Sequence, residues 1–173
     1  MKFTVCQIDN ALINPPQGTI AELFYDTFWQ QKKSDGYYRP SFAWELPLWI
    51  AEISYTLPAN VKRELLIIEE QDINLVPDSI YCFSVLDVNA GIIRTIIENN
   101  QQCRFILGGY CKPYSDLWPI NVTWCDTVRQ FCDTFDFPYS YGTDYSLFAG
   151  IECIPRLTLS TGCKHHCKFC TVP

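Results

Sequence analysis

The chain has 173 residues, 48% of them hydrophobic and 15% aromatic, which is enough apolar side chain to bury a core and excludes a disordered segment. Thirteen Lys and Arg against nineteen Asp and Glu give a formal charge of −6 and a pI near 4.8, which argues against a nucleic-acid footprint and against an anionic membrane surface. The apolar runs stop well short of the roughly 18 residues of a membrane span; the opening stretch, with Lys2 and Asp9, does not read as a signal peptide, so a cytoplasmic location is expected.

Residues 3–8 spell a short buried strand, followed by turn chemistry at Asn14-Pro15-Pro16-Gln17-Gly18. Residues 19–40 are aromatic-rich and irregular. A helix is expected over 46–57, where Leu46, Trp49, Ile50, Ile53 and Leu57 share one face and Pro47 suits the first turn. Residues 64–69 and 80–85 are strands without polar alternation, the pattern of strands covered on both faces. Val88, Ile92, Ile93, Ile96 and Ile97 then recur at helical spacing, and Asn99-Asn100 ends that helix. Residues 104–107 form a fourth strand that runs into Gly108-Gly109. A weaker strand near 121–124 and a helix carrying Val128, Phe131, Cys132 and Phe135 follow. Residues 136–152, with Pro138, Gly142 and Gly150, read as a linker to one last strand at 156–159.

Apolar strands alternating with amphipathic helices predict an α/β domain: an open parallel sheet of the flavodoxin or Rossmann kind, with helices on both sides. Ligands of such sheets sit outside the carboxyl ends of the strands, so the candidate loops are 10–17, 86–89 and 108–111. No Gly-x-Gly-x-x-Gly follows the first strand and no phosphate-binding loop with Gly-Lys-Ser/Thr exists, which argues against a dinucleotide or nucleotide site.

Seven of the ten cysteines (Cys6, Cys82, Cys103, Cys111, Cys125, Cys132 and Cys153) are scattered singly and read as buried free thiols behaving as small hydrophobes. The other three lie in Cys163-Lys164-His165-His166-Cys167-Lys168-Phe169-Cys170, which also contains both histidines of the chain. Three thiolates at this spacing can hold three corners of a cubane iron–sulfur cluster and leave one iron open. Lys164 and Lys168 favour the thiolate form. Zinc held by the three cysteines and His165 or His166, a redox-active dithiol, and inert thiols are the alternatives.

Gly162-Cys163-x3-Cys167-Lys168-Phe169-Cys170 resembles the cluster-binding signature of the radical S-adenosylmethionine enzymes, in which an aromatic residue precedes the third cysteine. Residues 154–162 look like the first strand of their barrel. Upstream, residues 80–85 and 105–109, the Asn14-Pro15-Pro16 turn and the helix at 46–57 look like the cobalamin-binding-type domain that precedes many such barrels. The resemblance implies an α/β domain over 1–135, a linker over 136–152 and the start of a radical enzyme domain over 153–173. It implies a [4Fe–4S] cluster on Cys163, Cys167 and Cys170, S-adenosylmethionine with its adenine near Phe169, and a 5′-deoxyadenosyl radical that attacks a small-molecule substrate.

An electron donor such as flavodoxin or ferredoxin is implied as partner. If cobalamin binds, Asn89, Gly108 and Gly109 stand at its pocket, and no histidine from this chain lies below the cobalt, since none precedes His165. The chain stops three residues past Cys170, so the rest of the barrel is expected from elsewhere, for instance a separate polypeptide. A second enzyme reading is a methylthiotransferase, with a further cluster on Cys6, Cys82 and Cys111. A non-enzyme reading is a zinc-stapled α/β module whose aromatics at 24–49 bind a partner protein.

Overall fold

The computed structural model describes residues 1–9, 12, 20, 23, 44–45, 47–109, 118–151 and 153–154. Along its first strand, β1 (Lys2–Ile8), successive side chains leave the backbone on opposite sides. Phe3 and Val5 therefore enter one apolar cluster while Cys6 and Ile8 enter another. A strand with two apolar faces must be covered twice, and the helices between strands supply the covers.

Next come β2 (Trp44–Glu45), α1 (Leu48–Thr56), β3 (Lys62–Ile68), β4 (Ile80–Val85) and α2 (Ala90–Asn99). The chain continues through β5 (Arg104–Gly109), β6 (Val122–Trp124), α3 (Val128–Phe135), a 3₁₀ turn (Ser146–Phe148) and β7 (Cys153–Ile154). Five strands form one sheet in the order β3-β1-β4-β5-β6, and every neighbouring pair is parallel. β2 and β7 pair in parallel as a separate ribbon. Within the sheet this is the 2-1-3-4-5 order of flavodoxin-like folds. The chain winds one way from β1 to β3 and the other way from β4 to β6. Because crossovers between parallel strands are right-handed, that reversal puts α1 and α2 on opposite faces.

The first face is closed by Ile92, Ile93, Ile96 and Ile97 of α2, which pack on Ile8, Tyr81, Phe83, Val85, Phe105 and Leu107. The second is closed by Ile50 and Ile53 of α1 and Phe131 and Cys132 of α3, over Phe3, Val5, Ile80, Cys82 and Ile106. Pro47, with extended backbone, stands just before the first turn of α1, one place earlier than expected. Thr127 caps α3 by accepting the Gln130 N–H at 3.1 Å, and Asp136 ends it in the left-handed region at φ 56°.

Four readings of the sequence shift. Val88 is not on the α2 face; it sits in the turn before the helix and is 63% exposed. The run Leu65-Leu66-Ile67 is only half-buried, because β3 is an edge strand rather than one covered throughout. Gly108 and Gly109 are the last two residues of β5, not a turn beyond it. Within the segment read as a linker, Phe148 is buried in the second-face cluster and the Asp144 amide donates to the Ala51 carbonyl at 3.0 Å. The strand expected at 156–159 lies outside the described residues, as does Leu46.

The connection between β3 and β4 contains no helix. Asn100, fully buried at the end of α2, holds it instead: its Nδ2 donates to the Ile73 and Ile96 carbonyls at 2.9 and 2.7 Å, and its Oδ1 accepts the Leu75 N–H at 2.7 Å. Among the described residues no helix is long and apolar enough to cross a membrane.

Candidate functional site

The strand order reverses between β1 and β4, so the crevice of this sheet opens where those two strands end, at Ile8 and Val85. Of the loop after β1, Asp9 and Leu12 are described: the Asp9 N–H donates to the Ile68 carbonyl at 2.9 Å and the Leu12 N–H to the Asp9 carbonyl at 3.0 Å. The loop after β4 carries two apolar side chains outward, Leu86 and Val88, 39% and 63% exposed.

Asn89 closes that loop. Its Oδ1 accepts the Leu86 N–H at 2.7 Å and its Nδ2 donates to the Ser84 carbonyl at 3.0 Å. The side chain therefore folds back on its own turn and does not cap α2. Gly108 lies so near the β6 terminus that a Cβ there would stand 2.8 Å from the Cys125 carbonyl oxygen. Gly109, paired with Val85, has φ 111°, and a Cβ there would stand 2.8 Å from the Val85 nitrogen. Both glycines serve the close approach of neighbouring backbone at the carboxyl edge. All three residues read as a cofactor pocket are thus accounted for by contacts within the domain.

The cysteines divide cleanly. Cys6, Cys82, Cys103, Cys125 and Cys132 are buried and unpaired, as expected of core thiols. Desolvation pushes every one of these thiols up, most strongly Cys6 and Cys82, which favours the neutral thiol over the thiolate. Cys6 and Cys82 face opposite sides of the sheet and cannot meet at one cluster. Among the described residues no group of three His, Cys, Asp or Glu side chains is placed to hold a metal ion. Cys163, Cys167, Cys170, Phe169 and Cys111 lie outside the described residues.

An open cleft of about 370 Å³ lies elsewhere, on the helix layer of the second face. Glu52 and Thr56 of α1, the cap Thr127 with Val128 and Arg129 of α3, and residues 139–142 line it. The Arg129 guanidinium sits over the Tyr139 ring, 4.4 Å from its centre, and burial raises the Glu52 carboxyl. Nothing in the sequence announced this cleft, because its walls pair α1 with residues 127–142, more than seventy positions later in the chain. No family model matches the chain, and neither does any curated protein or solved structure.

Proposed function

We propose that the chain carries the cluster-binding motif of a radical S-adenosylmethionine enzyme, attached to an open parallel α/β domain. The observation behind this reading is the Cys163-x3-Cys167-x2-Cys170 spacing, flanked by Gly162 and Phe169. The donor set fits a [4Fe–4S] cluster: three thiolates for three irons, with Lys164 and Lys168 adjacent to stabilise the thiolate form. Once bound, such a cluster supplies the electron that cleaves S-adenosylmethionine to a 5′-deoxyadenosyl radical. This chain's own part is ligation through the three cysteines and a ring, Phe169, for the adenine to rest near. The barrel, the substrate and the electron donor belong to the same proposal.

Cobalamin gains no support from this geometry, since Asn89, Gly108 and Gly109 are each engaged within the domain, and no step is assigned to it. The methylthiotransferase reading likewise gains no support, since Cys6 and Cys82 lie in the clusters of opposite faces.

Anaerobic reconstitution followed by iron, sulfide and zinc analysis tests the proposal. About four irons per chain are expected, and brown absorbance that disappears on replacing Cys163, Cys167 or Cys170 by Ala but survives Cys103→Ala and Cys132→Ala. Zinc alone, or equal loss at Cys103, overturns it; about eight irons would restore the methylthiotransferase.

A further inference from the structure

We infer that residues 137–151 are a strap belonging to the α/β domain, clasped at Asp144, that carries the chain from the amino edge of the sheet to its carboxyl edge and fixes where it leaves toward the cysteine motif. The inference concerns the path of the chain and holds whether or not the motif takes a cluster.

The strap starts at the amino edge. Phe137 packs edge-on against Phe3, near the start of β1, with ring centres 6.0 Å apart. It then follows α1 in reverse. α1 leads from the carboxyl edge, where β1 ends, to the amino edge, where β3 begins, so lower numbers along it lie nearer the carboxyl edge. Gly142 abuts the Tyr55 ring so closely that a Cβ there would stand 2.8 Å from Cε2. Two residues on, the Asp144 N–H donates to the Ala51 carbonyl at 3.0 Å. Finally Cys153 pairs with Trp44, ahead of the first turn of α1. The partners run Tyr55, Ala51, Trp44 as the strap advances, one turn back along α1 and then on to the short strand that precedes it.

Asp144 is the clasp because three hydrogen-bond donors and one guanidinium, drawn from three segments, meet at its carboxylate. Ser54 of α1 donates its hydroxyl to Oδ2 at 2.7 Å. Ser146 donates its amide to Oδ1 and its hydroxyl to Oδ2, both at 2.9 Å. Arg63 of β3 places Nη1 at 3.6 Å from Oδ2 while the same nitrogen donates to the Ser54 carbonyl. Hydrogen bonds to a charged group are of the stronger class, and together with the Arg63 ion pair they tie helix, edge strand and strap together. Phe148, 7% exposed, pins the far end into the second-face core. A linker would make no such contacts.

Hydrogen exchange followed by mass spectrometry on the full chain tests the clasp. Asp144→Ala should speed exchange of amides in 142–151 and at 44–45 and 153–154 by about tenfold or more, with α2, β4 and β5 unchanged. Asp144→Asn, which still offers an acceptor to Ser146, should fall between wild type and Ala. If Asp144→Ala does not fold, Ser54→Ala, which deletes one donor, should show a smaller rise confined to the same amides. Unchanged exchange across 142–151, or a rise spread equally over α2 and β5, overturns the inference.

Discussion

The two faces of the sheet are closed by different side chains, and each recruits an irregular segment in its own way. On the first face, isoleucines spaced three and four apart along α2 make the cover, and the helix-free connection at 69–79 is held by the neutral amide of Asn100. On the second, aromatic rings from β1, α3 and residues beyond it interlock, with Phe3 within 5.6 Å of Phe131 and 5.0 Å of Phe135. There the irregular segment is held by a charge, Asp144. Each face takes a single anchor from its irregular segment, Leu75 on the first and Phe148 on the second. The two segments differ in what holds the backbone beside that anchor, a neutral amide in one case and a carboxylate in the other.

Removing a ring should strain this contrast most. Phe131, 1% exposed and in contact with three other rings, is expected to lose about 3–5 kcal/mol of stability as Ala, measured by denaturant unfolding. Because Phe137 shares that cluster, Phe131→Ala should also loosen the start of the strap; an unmoved strap would show that the rings pack independently. Asn100→Ala comes next, at about 1–3 kcal/mol, since it leaves the Leu75 N–H without its acceptor in a buried place. Its effect should be confined to the first face, with faster exchange at 73–75 and none at 142–151.

The smallest effect is that of acid. Burial alone would raise the Asp144 carboxyl, but the Ser146 amide, the Ser54 and Ser146 hydroxyls and Arg63 outweigh it and hold the carboxyl below its ordinary value. A depressed carboxyl contributes its stability above the unfolded value of about 4 and loses it as the pH falls through the folded one. Acidifying from about pH 5 to about pH 3 should thus loosen 142–151, after correction for intrinsic exchange rates. Glu64, an exposed carboxyl lowered by Lys2 and Thr4 against some desolvation, responds in the same direction at the amino edge. The segment at 69–79, held by a neutral amide, should not follow. In Asp144→Asn the acid response of the strap should vanish; a persisting response would place its origin elsewhere.

What could be read from the sequence follows from how each element announces itself. β4 was expected at 80–85 and found there, because six apolar or small residues bounded by turn chemistry permit little else. The helix of isoleucines was legible by spacing, but its start was not: Val88 fits the same period, and only the Asn89 turn, closing on Leu86 and Ser84, shows why the helix waits for Ala90. The apolar run of β3 promised two covered faces, yet periodicity carries no information about which strand lies at an edge. Residues 136–152 read as a linker in the sequence because Pro138, Gly142 and Gly150 punctuate them and the anchors, Asp144 and Phe148, are single residues that leave no period. For the candidate site, the cysteine spacing at 163–170 supports a proposal drawn from the sequence, since those residues lie outside the described ones, while the surroundings of Asn89 and Gly109 depend on neighbours that only the fold supplies.

Gly109 has a consequence at the level of the gene. Its φ of 111° and its seat against the Val85 backbone exclude any side chain there. In a glycine codon every change at the first or second base brings in a residue with a Cβ or a stop, and only changes at the third base are silent. This position is therefore closed to gradual drift: each single-base step away from glycine drives an atom into the neighbouring strand, with no intermediate size to pass through. At the carboxyl edge the joint between β4 and β5 is fixed by the geometry of one residue without a side chain.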